Sequence, residues 1–157
     1  MKNKRHRIMF VCHGNICRSP MAEFVFKDMV KKAGREDDFI IESSATSTEE
    51  IWNGVGNPVY PPTRVELSKH GIDPGDKRAT QVKASDYDKY DLFLVMDSRN
   101  MQNILYIFGS DPEGKVRKLM DYTARGGDVA DPWYTGRFDV AYRDIYDGCA
   151  GLLKQLS

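Results

Sequence analysis

A thiol and a guanidinium stand at a spacing in this chain that suits anion chemistry. Cys12 opens the run Cys12-His13-Gly14-Asn15-Ile16-Cys17-Arg18-Ser19-Pro20, so Arg18 follows the thiol six residues on. An apolar run, Ile8 to Val11, leads into it, and a helical pattern from Pro20 to Ala33 leads out. A strand, a tight loop and a helix start therefore meet at one cysteine. A loop curling over a helix N-terminus turns successive N–H groups on one point, where the helix dipole adds positive potential. Such a concavity binds an anion. Gly14 is expected to take positive φ without steric cost, and Asn15 tolerates left-handed geometry better than most residues. Arg18 can clamp two oxygens of a tetrahedral oxyanion. The same field favours the thiolate of Cys12, since thiols at helix N-termini beside cations titrate below roughly 8.5. The loop reads as an anion cradle with a nucleophile at its centre.

The elements that must position this loop alternate between strand and helix. Arg7 to Val11 reads as a short buried strand suited to a parallel sheet. Ser19-Pro20 starts a helix whose apolar face is Ala22, Val25, Phe26, Met29, Val30 and Ala33, with Gly34 as its stop. Phe39-Ile40-Ile41 begins a second strand running towards Ser43-Ser44-Ala45, and strand, helix, strand sets a right-handed crossover. Thr46 to Pro62 reads as a long irregular stretch carrying Trp52 and Tyr60, which pack on the body in the simplest reading. Thr63 to His70 has helical spacing, and His70-Gly71 reads as a helix end with a structural role for His70. Tyr90 to Asp97 is a third strand, and Asp97 is a good N-cap for the helix after it. Asp111-Pro112-Glu113-Gly114 is a turn, Val116 to Met120 a fourth, edge strand. Phe138, Ala141, Tyr142, Ile145, Cys149, Leu152 and Leu153 lie at helical spacing and close the sheet. The pattern implies one doubly wound α/β domain over residues 1–157. Ligands of such sheets bind at the carboxyl ends of the strands, where Cys12, Ser43 and Asp97 all fall.

The string Val11-Cys12-His13-Gly14-Asn15-Ile16-Cys17-Arg18-Ser19-Pro20-Met21-Ala22-Glu23 resembles the signature of the low-molecular-weight protein tyrosine phosphatases, a C-x5-R-S motif close to the N-terminus. A later Asp131-Pro132-Trp133-Tyr134, in a Gly-rich loop from Gly126 to Gly136, resembles that family's acid loop. The resemblance implies a four-stranded parallel sheet in the order 2-1-3-4 with helices on both faces. It implies that Cys12 is the nucleophile, Arg18 the phosphate-binding arginine and Asp131 the general acid. Ser19 would support the thiolate as leaving group, while Asn15 and Ser43 brace a phosphate loop made of His13, Gly14, Asn15, Ile16 and Cys17. Trp52 would wall the pocket entrance. Trp133 stands where a Tyr is more usual, Tyr134 is kept, and the family's bracing histidine is replaced by Asp76-Lys77-Arg78. Cys17 matches a cysteine that traps the oxidised nucleophile as a disulfide.

A thiolate attacking an aryl phosphate must expel a phenol of pKa about 10. A positioned carboxylic acid that protonates it is worth about 10²–10⁴ in rate. Pro132 stiffens Asp131 for that task, and an aromatic slot between Trp52 and Trp133 would favour phosphotyrosine over phosphoserine. No metal or other cofactor is called for, because Arg18 and the amides supply the positive charge. Three other readings are weighed. An arsenate reductase on the same fold needs a further pair of close cysteines, and only Cys149 lies beyond the loop. A non-catalytic phospho-ligand module leaves the Cys12, Arg18 and Asp131 set unexplained. A zinc site from Cys12, His13 and Cys17 lacks a fourth ligand.

Composition sets the outer limits. The chain has 157 residues with 23 basic and 23 acidic side chains, a formal net charge of zero. No global basic field points to nucleic acid or an anionic membrane. The basic start, Lys2, Lys4, Arg5 and Arg7, precedes an apolar run shorter than the about 7–15 residues of a secretory signal, and nothing approaches the ~20 apolar residues of a membrane span. Three cysteines make no disulfide framework, and a reactive thiol suits a reducing cytoplasm. The expected partner is a phosphotyrosine protein or an aryl phosphate, and the expected state a monomer or at most a weak dimer.

Overall fold

Strand β1 (His6–Cys12) carries apolar side chains on both faces, and the chain is wound so that both are covered. The computed structural model describes residues 5–156, and Lys2 and Lys4 of the basic start lie outside them. After β1 come α1 (Arg18–Lys32), β2 (Phe39–Ala45), a hairpin of β3 (Ile51–Trp52) and β4 (Val55–Gly56), and α2 (Pro61–Ser68). Then follow β5 (Leu92–Val95), α3 (Ser98–Phe108), β6 (Val116–Lys118), α4 (Pro132–Thr135) and α5 (Phe138–Gln155). The main sheet is four-stranded in the order β2-β1-β5-β6, with every neighbouring pair parallel. Leaving the hairpin aside, this is the expected order 2-1-3-4.

Alternation along β1 divides the core. Ile8, Phe10 and Cys12 face α1 and α5, packing with Met21, Val25 and Phe26 on one helix and Ile145, Cys149 and Leu152 on the other. Met9 and Val11 face the opposite layer, with Phe93, Val95 and Ile104 of β5 and α3. Phe26 stands edge-on to both Phe10 and Phe39, at centroid distances of 5.8 and 5.3 Å. Truncating such a buried ring to Ala costs about 3–5 kcal/mol. From β1 the chain turns one way to β2 and then crosses to β5 on the other side. The carboxyl end of β1 is therefore the point where the strand order reverses, and a crevice opens there.

Three elements differ from the sequence expectation. Within the stretch Thr46 to Pro62, which reads as irregular, Asn53 (φ 50°) and Gly54 (φ 77°) form a two-residue hairpin turn, the conformation that Asn-Gly pairs favour. Gly56 seats the hairpin on the body, because a Cβ there would lie 1.9 Å from the Ala79 carbonyl oxygen. Helix α2 begins at Pro61 rather than Thr63, since Pro61 and Pro62 suit first-turn positions that need no N–H donor. The edge strand stops at Lys118, where the backbone turns into a 3₁₀ segment (Leu119–Tyr122) in which Leu119 and Met120 are buried. His70 stacks on Tyr142 at 3.6 Å, and its Nε2 lies 3.2 Å from Glu66, a packing role. Among the described residues no helix is long and apolar enough to cross a membrane.

Candidate active site

The loop from Cys12 to Arg18 joins the end of β1 to the start of α1, and its neighbours hold its outer side. Thr46, Ser47 and Tyr60 donate backbone N–H groups to the carbonyls of Cys12, His13 and Ile16 at 2.9, 3.1 and 2.8 Å. Asn15 takes the left-handed conformation, φ 58°, and makes the turn by itself. Gly14 stays out of that region, contrary to expectation. Its missing side chain leaves room for the stem of Glu50, whose Cγ would sit 3.2 Å from a Cβ at this position.

Behind the loop the buried polar groups form one directed chain. The Asn15 amide donates to Ser19 Oγ at 2.8 Å and to Ser43 Oγ at 2.9 Å, and its Oδ1 accepts from Thr80 N at 3.0 Å. Each hydroxyl is thus occupied as an acceptor and turns its own proton away from Asn15. Ser43 gives its proton to Glu23, a buried carboxylate. Ser19 Oγ lies 3.0 Å from Cys12 Sγ, and Ser19 N lies 3.4 Å from the same sulfur. The Glu23 charge is met by Lys27 at 2.6 Å and Lys77 at 3.8 Å, and Lys77 Nζ donates to the Ser43 carbonyl at 2.8 Å. Burial holds the Lys77 ammonium below its ordinary pKa, with Glu23 opposing. Lys77 thus joins the bracing network, one residue after Asp76, which the family resemblance sets in place of a histidine.

Arg18 is almost wholly buried and is held from three sides. Its Nη1 donates to Asp97 Oδ2 and to the Val129 carbonyl, both at 2.8 Å, while Nη2 lies 3.5 Å from Asp131 Oδ2. Burial alone works against its charge, but Cys12, Asp131 and Asp97 together outweigh burial and hold its pKa above the ordinary value. Asp97 also caps α3 through Asn100 N at 2.8 Å, so one carboxylate starts a helix and fixes the guanidinium. Asp131 caps α4 through Trp133 N at 3.0 Å, which turns its second oxygen towards Arg18. Burial pushes the Cys17 thiol up to about 12, against the hydrogen bond from Thr63 Oγ1 at 3.1 Å. Cys17 is therefore a neutral thiol at physiological pH. Among the described residues no three His, Cys, Asp or Glu side chains converge as metal ligands. Cys12, His13 and Cys17 turn instead to Ser19, Glu49 and Thr63.

These groups line a cavity of about 180 Å³ at the carboxyl end of β1. Residues 12–18 form its floor, Asp131, Trp133 and Tyr134 one wall, and Glu49 and Glu50 the other. Trp133 is backed by Tyr60 at 4.9 Å, with Phe138 behind Tyr60 at 6.1 Å. Trp52 does not line the cavity. It pairs across the hairpin with Val55, and the two are 78% and 58% exposed. Successive strand side chains point to opposite faces, and Gly56 claims the inward face against Ala79, so Trp52 turns outward.

Several residues of the site escape a reading of the sequence. Glu23 is a lone acid in the otherwise apolar run Met21 to Phe26, a signal visible in hindsight. Thr63, Thr80, Glu49, Glu50 and the Val129 carbonyl carry none, because each enters from a remote segment.

Known proteins with this arrangement place the chain in a family. The model of the low molecular weight phosphotyrosine protein phosphatase family matches residues 7–157. The chain is 35% identical over 151 residues to the low molecular weight protein-tyrosine-phosphatase YfkJ of Bacillus subtilis, covering 95% of this chain and 94% of YfkJ. It is 37% identical over 159 residues to a low molecular weight phosphotyrosine protein phosphatase of Schizosaccharomyces pombe, covering 98% and 99%. The crystal structure of YfkJ superposes with a TM-score of 0.92 over 99% of this chain and 97% of that one, at 33% identity. The chain belongs to the low molecular weight protein tyrosine phosphatases.

Proposed function

We propose that this protein hydrolyses protein phosphotyrosine and small aryl phosphates through a cysteinyl-phosphate intermediate. The convergence of Cys12, Arg18 and Asp131 on one cavity carries this reading. Cys12 Sγ attacks phosphorus in line, while Arg18 and the loop amides hold the equatorial oxygens. Asp131 gives its proton to the leaving phenol. In the second step the Asp131 carboxylate takes a proton from a water, which attacks the cysteinyl phosphate and releases phosphate. Ser19, 3.0 Å from Sγ, donates to the departing thiolate. Asn15 and Ser43 keep that hydroxyl aimed, and His13, Gly14, Ile16 and Cys17 complete the loop.

A flat aryl ester gains contact with Trp133 and Tyr134, whereas a phosphoserine is too short to reach them. The reaction draws its positive charge from Arg18 and amides, so it runs without a metal. We place the activity in a single domain spanning 1–157, working in the cytoplasm as a monomer or at most a weak dimer.

The test is p-nitrophenyl phosphate hydrolysis in EDTA from pH 5 to 8, with Cys12→Ser alongside. Turnover in EDTA that vanishes in the variant is the expected result. No turnover by folded, reduced protein would overturn the reading and turn attention to arsenate reduction or simple phospho-ligand binding. Equal kcat/KM for phosphotyrosine and phosphoserine peptides would remove the aryl preference.

A further inference from the structure

The wall expected to be aromatic is acidic, and we propose that Glu49 and Glu50 make this enzyme select phosphotyrosines flanked by lysine or arginine. The inference rests on the phosphatase reading above and names the substrate class within it.

An opening that admits a dianion gains nothing from carboxylates of its own, since like charges repel. Yet Glu49, Glu50 and Asp131 all line this cavity. The groups that could oppose this charge are already engaged. Arg18 is buried and committed to Asp97 and Asp131. His13 Nε2 lies 2.9 Å from Glu49 Oε2. Glu50 receives one weak amide hydrogen bond, from Asn57 Nδ2 at 3.3 Å, and pairs with no cation among the described residues.

Glu50 is nonetheless fixed in place. Its stem lies over Gly14 on the phosphate loop, and its carbonyl accepts from Asn57 N at 2.8 Å. The structure therefore holds a carboxylate beside the phosphate site that no cation among the described residues neutralises. The whole chain carries no net charge, so this is a local field confined to the mouth.

A peptide whose phosphotyrosine enters the slot lays its neighbouring residues across that mouth. Lysine or arginine there meets Glu49 and Glu50 on one side. On the other it meets the rings of Trp133 and Tyr134, 56% and 83% exposed, which attract cations through their faces. Glutamate or aspartate meets repulsion from the acidic wall. Each such exposed pairing changes binding by about two- to five-fold, and salt screens it.

The test compares three phosphotyrosine peptides that differ only in carrying Arg, Ala or Glu on both sides of the phosphotyrosine, with phenyl phosphate as a substrate that has no flanks. At low salt the expected kcat/KM order is Arg, Ala, Glu, with about ten-fold between the extremes. Roughly 0.5 M NaCl compresses that ratio. The E49Q/E50Q double variant, its fold checked by thermal unfolding, brings the Arg-to-Glu ratio close to one. A flat or reversed order in the wild type would overturn the proposal. So would a double variant that slows all three peptides equally, because the carboxylates would then only shape the loop. Failure to hydrolyse phenyl phosphate or any of the peptides would fault the phosphatase reading itself.

Discussion

The floor of the cavity and its rim meet at His13, yet they are built differently. On the floor Asn15, Arg18 and Ser19 are 1%, 3% and 0% exposed. There each hydrogen bond determines the direction of the next, from Glu23 through Ser43 and Asn15 to Ser19. A network of this kind is strong when every member is satisfied and costly when one is lost. The rim carries exposed rings and carboxylates with few partners, joined to the floor by the His13–Glu49 contact. Such side chains can be exchanged at little cost in folding. The contrast matches the two tasks we propose: a preorganised floor for the chemistry, and an adaptable rim for choosing what arrives.

Four experiments test this division. The largest effect is expected from Asp131→Asn, which keeps the α4 cap but removes the proton. The kcat for phenyl phosphate should fall by about 10²–10⁴, with little change in the unfolding midpoint. A smaller loss for p-nitrophenyl phosphate, a better leaving group, would mark Asp131 as the acid. Next, Asn15→Ala removes the donor of two buried hydroxyls and the acceptor of Thr80 N. Stability should drop by about 2 kcal/mol in urea titrations, and kcat by about ten-fold or more. A loss of stability alone would mean that the floor is not preorganised for catalysis.

The third concerns pH. The Cys17 thiol is held at about 12 in the fold against 9.0 when free. Its contribution to stability is complete below pH 9 and is lost between pH 9 and about 12, because the unfolded chain releases a proton that the folded one keeps. Between pH 8 and 10 the wild type should lose on the order of 1 kcal/mol through this group. Urea midpoints for Cys17→Ser should lack that part of the decline, while the part due to buried Cys149 persists. The smallest effects belong to the rim. Trp133→Ala should lower kcat/KM for aryl phosphates by about two- to ten-fold, the worth of one aromatic contact. Trp52→Ala should leave it nearly unchanged, and equal losses would return Trp52 to the slot.

Much of the floor was legible in the sequence because its parts are neighbours in the chain. The apolar run of β1, the tight loop with Asn15, Arg18 six residues after Cys12, and Pro20 starting a helix are local choices. Local propensities and the dipole of the following helix suffice to bring them together. Asp131 was legible only by type: its side chain lies 3.5 Å from Arg18 because the loop before α5 folds back over the carboxyl ends of the strands. Asp97 read as a cap, and packing gave it the guanidinium as well. The tertiary structure alone decided that Lys77 and Glu23 stand behind Ser43.

The rim shows the limit most clearly. Whether the second wall is Trp52 or Glu49 and Glu50 depends on which face of a short hairpin is buried, and a one-residue shift exchanges the two faces. The close approach of Gly56 to Ala79 selects the face. Adjacent residues thus determined the chemistry of the loop from the sequence itself. The contacts that aim Asp131, brace Ser43 and turn Trp52 outward join segments far apart in the chain, so only the folded packing decided them.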